Sequence, residues 1–335
     1  MKLGRGAVAG VLVALLALLA GTAVVAGPAQ AATGVGTRAA DGAEVVSERW
    51  SWDLRELTIE IRSPAVGRTL PVKLIMPVGW SFESSRRWPV MMMLQGGGHD
   101  DYTTWGAKTD VDALAKKWQV ITVFPEAGDN ATYTNYFNGG RFGKPAWEDF
   151  HTQEVLQILQ KTYRANTNRA VAGLSSGGYG SMIYAARNPG MFKYASSYSG
   201  LVTIRLPIIR WAAFFASRDA DPSRRFGVPF VNERNWELHD PLYMAGNLRG
   251  TGIYLSSGYT GIPAEDDTVA WSPQQFAEPI AATLSIALEK KLNALNIPVT
   301  VHYYPRGEHQ WPSWQRELHR SWPLMMQAIG AGPNP

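Results

Sequence analysis

A short segment near the middle of the chain combines the residue types that an acyl-transfer nucleophile needs. The stretch Gly173-Leu174-Ser175-Ser176-Gly177 matches the pattern G-x-S-x-G. In this pattern a strand turns sharply into a helix, and the glycines leave room for a serine in a strained conformation that exposes its hydroxyl. An apolar run precedes Ser175, and a helical run rich in small residues follows it. We therefore predict that Ser175 is a nucleophile rather than part of a Ser/Gly-rich turn.

A histidine near the end of the chain is positioned to activate that serine. A serine hydroxyl is a poor nucleophile until a base takes its proton. His309 follows the last strand-like run, in the loop Gly307-Glu308-His309-Gln310-Trp311, and fits the chain order Ser…acid…His. We predict that His309 is the base and that His99 is a candidate for substrate contact. The remaining histidines are predicted to be structural or on the surface: His151, His239, His302 and His319.

The third member of such a site is an acidic residue that orients the histidine. It must lie between Ser175 and His309, after the strand-like run 253–256. Four residues meet this condition, and position alone does not choose among them: Glu265, Asp266, Asp267 and Glu278. Each also has an ordinary explanation, either a solvated polar loop or, for Glu278, a favourable charge near a helix N-terminus.

A glycine-rich loop follows an earlier strand-like run. Residues 90–94 lead into Gln95-Gly96-Gly97-Gly98-His99. Glycine lets the backbone approach a substrate and turn an amide towards it. Loops of this kind supply one N–H of an oxyanion hole, and the residue after the nucleophile supplies the other. We predict that Gly97, with Gly96 as the next choice, and Ser176 provide these amides; the alternative is a tight turn without a catalytic role.

Strand-like runs and helical patterns alternate along the rest of the chain. Several runs are almost continuously apolar, as is typical of strands buried on both faces of a parallel sheet. The strand-like runs cover 57–61, 72–76, 90–94, 120–124, 170–173, 194–199, 253–256 and 299–304, and the helical patterns cover 111–118, 147–163, 177–188, 273–295 and 314–329. This alternation predicts an α/β fold with a mostly parallel, doubly wound sheet. We expect residues 201–250, after the sixth run, to form an irregular excursion over the sheet edge that binds ligands.

The N-terminal sequence predicts export. Lys2 and Arg5 precede an apolar run over 7–26, and Ala29-Gln30-Ala31 provides a small-residue cleavage pattern. We predict a signal peptide over 1–31, a linker rich in Gly, Ala and Thr over 32–48, and one catalytic domain over 49–331. The alternative for 1–31 is an uncleaved membrane anchor.

Charge and composition exclude several function classes. The net charge is only +4 and the chain has no dense run of Lys or Arg, so we predict no nucleic-acid partner. The chain has no cysteine, which excludes disulfides, thiolate metal sites and a cysteine nucleophile. No metal or organic cofactor is predicted.

Five stretches, in order along the chain, resemble the esterase D superfamily and, within it, most closely the antigen 85 mycolyltransferases. They cover 63–68, 100–105, 147–150, 173–175 and 307–314, and their shared order is more specific than any one of them. The resemblance runs from about residue 57 to 318 and implies an α/β-hydrolase fold that acts on acyl esters or glycolipids. Phe276-Ala277-Glu278 resembles the Phe-Leu-Glu stretch that carries the family's catalytic glutamate, which implies that Glu278 is the acid.

The chain also departs from that family in the glycine-rich loop. The family's loop carries an aspartate and an arginine that contact trehalose, whereas here the loop is one residue shorter and has neither. This difference argues against trehalose recognition more than against the chemistry. By position, Gln95, His99 and Trp311 are the candidates for substrate contact.

Taken together, the residues and the resemblance predict a secreted serine carboxylesterase or acyltransferase. A Ser-His-Glu triad would form an acyl-enzyme and pass the acyl group to water or to an alcohol. The alternatives are a trehalose or glycolipid mycolyltransferase, a polysaccharide-directed acetyl or feruloyl esterase, and a non-catalytic module that binds a cell wall or a host protein. Association with the cell wall is compatible with export.

Overall fold

The strands of the computed structural model form a single sheet. The structure describes residues 33–335 except 129–130, 138–144, 216–221 and 265–275. The strands are β1 (Glu44–Trp50), β2 (Glu56–Ser63), β3 (Arg68–Ile75), β4 (Trp88–Leu94), β5 (Ile121–Pro125), β6 (Ala165–Leu174), β7 (Tyr194–Tyr198), β8 (Gly252–Ile262) and β9 (Thr300–Arg306). Their order in the sheet is β1-β2-β3-β5-β4-β6-β7-β8-β9. The β1–β2, β2–β3 and β3–β5 pairs are antiparallel, and all pairs from β5–β4 to β8–β9 are parallel.

Helices follow most of the parallel strands. They are α1 (Thr104–Lys108), α2 (Val111–Ala115), α3 (Trp147–Asp149), α4 (Leu156–Lys161), α5 (Ser176–Arg187), α6 (Pro207–Phe215), α7 (Glu233–Glu237), α8 (Ala277–Ala294) and α9 (Trp311–Ile329). A π-helical turn, Phe150–Val155, joins α3 to α4, so the predicted helix over 147–163 is present with an altered winding in its middle. Within the part of the chain that the structure describes, no helix is long and apolar enough to cross a membrane.

The sheet is buried on both faces, which explains the apolar runs in the sequence. In β4, Val90, Met92 and Leu94 belong to the hydrophobic core on one face. Met91 and Met93, which alternate with them, belong to the core on the other face. All seven residues of β4 are buried. This layered architecture confirms the predicted α/β-hydrolase fold with a mostly parallel sheet.

Parallel strands end at one edge of the sheet, and the predicted site residues follow those ends. Ser175 comes directly after β6, Gln95 directly after β4, and His309 three residues after β9. Because the carboxyl ends of parallel strands lie together, residues that are far apart in the sequence meet at this edge. The excursion over 201–250 starts after β7 and contains α6, α7 and two short 3₁₀ segments.

The prediction of a linker over 32–48 is wrong for its second half. Glu44–Trp50 forms β1, which pairs with β2, and Val45 is fully buried. The Gly- and Ala-rich composition before residue 44 masked the short alternation of polar and apolar residues within the strand. The missed strand also changes the count, so the excursion follows the seventh observed strand rather than the sixth.

Candidate active site

Ser175 lies on a strained turn between β6 and α5. Its φ is 51° and its ψ is −116°, a backbone conformation that costs an ordinary residue free energy. A Cβ on Gly173 would lie 2.2 Å from the carbonyl oxygen of Gly177, and a Cβ on Gly177 would lie 2.4 Å from the carbonyl oxygen of Leu94. Only glycine fits at either position, so the sequence pattern around Ser175 reflects close backbone contacts. The turn exposes the serine hydroxyl at the edge of the sheet.

A line of hydrogen bonds joins Ser175 to a buried carboxyl group. Nε2 of His309 lies 2.9 Å from Oγ of Ser175. Nδ1 of His309 lies 2.9 Å from Oε2 of Glu278. The His309 side chain is 13% exposed and that of Glu278 is 0% exposed. With Nδ1 donating to the carboxylate, Nε2 has a free lone pair for the serine proton.

The second oxygen of Glu278 accepts four hydrogen bonds. The donors to Oε1 are the hydroxyls of Ser199 at 2.7 Å, Ser257 at 3.1 Å and Tyr304 at 3.2 Å, and the backbone N–H of Gly258 at 2.7 Å. These donors stabilise a buried carboxylate that would otherwise be costly. Burial, together with the Glu278 charge, raises the pKa of Tyr304 well above its ordinary value, so that its hydroxyl stays protonated and donates. Oε2 is left to face His309.

Trp314 holds this arrangement from the other side. Its Nε1 donates to Oγ of Ser199 at 3.1 Å, and its ring meets the His309 ring edge to face at 5.1 Å. Sequence reasoning missed Ser199, Ser257, Tyr304 and Trp314 as supporting residues. Only Trp314 carried a signal, because it ends the motif 307–314.

The glycine-rich loop lies against the nucleophile. A Cβ on Gly96 would lie 3.7 Å from Cβ of Ser175, and Gly97 lines the same cavity as Ser175 and Ser176. Ser176 is the first residue of α5, where backbone N–H groups have no partner within the helix. Tyr133 anchors the loop, because its hydroxyl donates to the carbonyl oxygen of Gln95 at 2.7 Å.

Three residues proposed for substrate contact have different environments. Gln95 is 1% exposed and is not among the residues that line the cavity, and its carbonyl oxygen accepts the Tyr133 hydroxyl, so its contact with substrate stays a prediction. Trp311 packs edge to face against Trp105 and Trp314, each at 5.3 Å, and is partly exposed. His99 is exposed and has a φ of 75°.

The other acidic and histidine candidates lie elsewhere. Glu265, Asp266 and Asp267 lie outside the described residues. His151 is fully buried; its Nδ1 accepts from the Tyr184 hydroxyl at 2.7 Å, and its Nε2 donates to the Glu126 carbonyl at 2.9 Å. Burial lowers the pKa of His151 to about 4, which makes it a neutral structural residue. The remaining three pair with other groups: His239 with Asn235, His302 with Glu317 and His319 with Asp110.

One carboxyl near the nucleophile was not anticipated. Oδ2 of Asp100 would lie 3.1 Å from a Cβ on Gly96, which places this carboxyl beside the glycine-rich loop. Burial raises the pKa of Asp100 to about 6, and the charge of neighbouring Asp101 adds to the shift. The only sequence signal was its position in the family-like stretch 100–105.

A cavity of about 430 Å³ opens beside Ser175. One wall comes from the excursion and another from the start of α8. The excursion therefore shapes the space next to the nucleophile, and most of that space is apolar. The aliphatic and phenyl lining residues are Ala131, Leu201, Ile204, Ile209, Ala213, Phe226, Ala277 and Ile280.

The site contains the groups for acyl chemistry without a metal. Among the described residues no group of three or more His, Asp or Glu side chains is arranged to hold a metal ion. The arrangement instead pairs a hydroxyl with a base and a buried carboxylate. Chemically, such a set can add the serine oxygen to a carbonyl carbon.

Comparisons with known proteins agree with this chemistry. The family model described as "Putative esterase" matches residues 63–325. Esterase Rv1288 of Mycobacterium tuberculosis (strain H37Rv) is 29% identical over 254 residues, which cover 73% of this chain and 54% of that protein. The chain thus spans about half the length of this relative.

Two further proteins are similar over most of the chain. Diacylglycerol acyltransferase/mycolyltransferase Ag85C of Mycobacterium avium is 24% identical over 288 residues, which cover 82% of this chain and 78% of that protein. The crystal structure of Mycobacterium tuberculosis MPT51 (FbpC1) matches with a TM-score of 0.65 and 23% identity, over 80% of this chain and 96% of that chain. At this identity the structural match shows a shared fold.

Proposed function

The chain belongs to the Esterase family, and from this premise we propose that it is a serine carboxylesterase or acyltransferase with Ser175, His309 and Glu278 as its catalytic triad. One observation carries the proposal: the two consecutive 2.9 Å contacts that link Ser175 to His309 and His309 to Glu278. The strained backbone of Ser175 supports it independently. A serine that only packed into a loop would need neither feature.

The proposed reaction has two half-reactions. Oγ of Ser175 attacks the ester carbonyl carbon while Nε2 of His309 takes the serine proton. The tetrahedral intermediate collapses, the C–O bond to the leaving alcohol breaks, and His309 returns the proton to that oxygen. Water or an acceptor alcohol then attacks the acyl-enzyme in the same way, which regenerates Ser175. Glu278 stabilises the imidazolium form of His309 in both halves.

The backbone amides of Gly97 and Ser176 are proposed to bind the developing oxyanion. Gly97 lines the cavity that also contains Ser175 and Ser176. Ser176 is the first residue of α5, and the first N–H groups of a helix have no partner within it and carry its positive end charge. Donors held in place before the reaction stabilise the transition state at no cost of reorganisation, and losing one typically lowers the rate by about 10²–10³.

Hydrolysis is the favoured outcome, and acyl transfer is the second candidate. The match to a protein named as an esterase favours water as the acceptor, whereas the match to a diacylglycerol acyltransferase/mycolyltransferase favours an alcohol. The loop over 95–98 lacks the charged residues by which the resembled family contacts trehalose. We therefore propose an esterase with broad substrate specificity.

We also propose that the protein is extracellular and that residues 1–31 are removed on export. Secreted protein whose N-terminus is Ala32 would support the removal, and secreted protein with an intact Met1 would contradict it.

The decisive experiment replaces Ser175 with alanine and follows p-nitrophenyl butyrate hydrolysis. Turnover by Ser175→Ala should be at least about 10³-fold lower than that of the wild-type protein, because only substrate binding and the oxyanion amides would still contribute to catalysis. Ser85→Ala, an exposed serine in the β3–β4 connection, is the matched control and should retain activity. A fluorophosphonate probe should label the wild-type protein and not Ser175→Ala. Unchanged turnover in Ser175→Ala would end the proposal, and a wild-type protein that the probe cannot label would favour a binding module.

The choice of acceptor can be measured with the same ester. Product analysis by mass spectrometry in the presence of glycerol or trehalose separates free acid from the transferred ester. Free acid as the main product in both cases would support the esterase. A main product that is an ester of trehalose would instead support the mycolyltransferase alternative.

A further inference from the structure

The glycine-rich loop that follows β4 has little conformational preference of its own. Gly96, Gly97 and Gly98 are consecutive, and glycine loses more conformational freedom on folding than any other residue. Oxyanion stabilisation requires the opposite property, namely an amide that is held in place before the reaction begins. Groups outside the loop must therefore fix its peptide groups.

A buried tyrosine binds the first peptide group of the loop. The hydroxyl of Tyr133 donates to the carbonyl oxygen of Gln95 at 2.7 Å, and Tyr133 is 1% exposed. Burial raises the pKa of Tyr133 well above its ordinary value, so the hydroxyl stays protonated and donates. The same carbonyl oxygen lies against the start of α5, since a Cβ on Gly177 would lie 2.5 Å from it. These two contacts fix the direction of the Gln95 carbonyl.

The direction of this carbonyl also determines where the next N–H points. The peptide group between Gln95 and Gly96, called here the 95–96 peptide, is trans, and in a planar trans peptide the C=O and the N–H point in opposite directions. The Gly96 N–H therefore points away from Tyr133. It hydrogen-bonds to the carboxyl of Asp100, which opposes the burial that raises the pKa of Asp100. The 95–96 peptide is thus bound at both edges.

The two glycine amides then have different environments. Gly96 is buried, is not among the residues that line the cavity, and has its N–H bound by Asp100. Gly97 is partly exposed and lines the cavity together with Ser175. An ordered 95–96 peptide directly before Gly97 restricts the orientation of the Gly97 amide.

Close packing keeps the Tyr133 ring in place. A Cβ on Gly180 would lie 2.5 Å from Cγ of Tyr133, so the ring lies directly against α5, the helix that begins after Ser175. The rings of Tyr184 and His151 pack against it with centroids 6.0 Å and 5.6 Å away. One immobile side chain therefore contacts both the glycine-rich loop and the helix next to the nucleophile.

We propose that Tyr133 is a positioning residue for the oxyanion hole. Its hydroxyl and the Asp100 carboxyl hold the 95–96 peptide from opposite edges, so that the amide of Gly97 is presented to the reacting carbonyl. This inference rests on the proposed function, because it assumes that Ser175 attacks an ester. Loss of the hydroxyl should weaken binding of the transition state rather than of the substrate.

The first test removes the hydroxyl and keeps the ring. In Tyr133→Phe, kcat for p-nitrophenyl butyrate should fall by about 10-fold to 100-fold while KM stays within about twofold, since the oxyanion donor is loosened rather than lost. Tyr184→Phe is the matched control, because it removes a buried hydroxyl from the same aromatic cluster that binds His151 at 2.7 Å and not the loop. It should lower the melting temperature by a similar amount and keep kcat within about threefold of the wild type.

A trifluoromethyl ketone provides a measurement that a purely structural role would not change. Oγ of Ser175 adds to its carbonyl carbon, His309 takes the serine proton, and the ketone oxygen becomes an oxyanion that needs the same amides. In Tyr133→Phe the inhibition constant should rise by the same factor by which kcat falls. In Tyr184→Phe it should stay within about threefold of the wild type.

Asp100→Ala tests the opposite edge of the 95–96 peptide. Alone it should also lower kcat with little change in KM, which keeps the inference testable should Tyr133→Phe not fold. Because either substitution lets the same peptide rotate, the double variant should lose at most about threefold beyond the less active single variant.

Three results would overturn the inference: wild-type kcat in a folded Tyr133→Phe, an equal loss of kcat in Tyr184→Phe, or losses that multiply in the double variant. Wild-type turnover that survives in Ser175→Ala would instead contradict the proposed function. Turnover that depends on Ser175 but not on Tyr133 would contradict this inference alone.

Discussion

Glu278→Gln should lower kcat for p-nitrophenyl butyrate by about 10⁴ while the protein remains folded, the loss expected when the acid of a triad becomes an amide. The reason lies in the surroundings of the carboxyl. Oε1 faces four donors and Oε2 faces Nδ1 of His309. A glutamine must turn its oxygen towards the four donors, because its NH₂ group cannot accept from them. The NH₂ group then donates to Nδ1 and leaves the proton on Nε2, where His309 cannot accept the proton of Ser175.

The size of the activity loss distinguishes this mechanism from one in which Glu278 contributes only an ordinary hydrogen bond to His309. A loss of 10⁴ corresponds to about 5.5 kcal/mol of transition-state stabilisation. If Glu278 only added one ordinary hydrogen bond to His309, its loss would cost about 1 kcal/mol, or roughly fivefold in rate. Ser199→Ala provides that comparison, since it removes one of the four donors to Oε1 and leaves the carboxylate in place. We expect Ser199→Ala to lose about fivefold to tenfold.

The assay is kcat and KM for the butyrate ester at pH 7.5, together with a thermal melt of each variant. KM should change little, because neither side chain lies among the residues that line the cavity. A melt close to that of the wild-type protein shows that lost activity is not lost folding. The reasoning would be refuted if a folded Glu278→Gln retained activity within tenfold of the wild type, or fell no further than Ser199→Ala.

Two further predictions concern folding. Gly173→Ala should lower the free energy of unfolding by about 3 kcal/mol or more, or prevent soluble expression, because the new Cβ would lie 2.2 Å from the Gly177 carbonyl oxygen. Chemical denaturation would measure the loss of stability. An unchanged unfolding midpoint would contradict the close contact. In the folded protein the buried His151 stays neutral, because burial lowers its pKa to about 4. In the unfolded chain the same side chain takes up a proton below its ordinary pKa of 6.5. Its contribution to stability is therefore complete above pH 6.5 and is lost as the pH falls from 6.5 towards 4. Urea unfolding should show about 2 kcal/mol less stability at pH 5 than at pH 7 from this residue. His151→Gln should show a correspondingly smaller fall, and an equal fall in both proteins would contradict the assignment.

Much of the fold followed from patterns that are local in the sequence. The apolar run over 90–94 coincides with most of β4, because a strand covered on both faces needs apolar residues at every position. Residues 44–50 escaped prediction because β1 is an edge strand whose residues are mostly half-buried or exposed, so its apolar pattern is weak. The winding change at Phe150–Val155 also carried no signal, since α- and π-helical turns use the same residue types.

The sequence alone determined which serine to propose, because the close contact between Gly173 and Gly177 that shapes the elbow lies within a few positions of Ser175. Only the tertiary structure brought His309 to that serine across 134 residues. It also surrounded Glu278 with four donors, of which three lie on β8 and β9 and one is the residue directly after β7. The same packing buried Gln95 and brought the Tyr133 hydroxyl to its carbonyl oxygen. Such features depend on which groups packing brings together, and no local pattern of side chains records that.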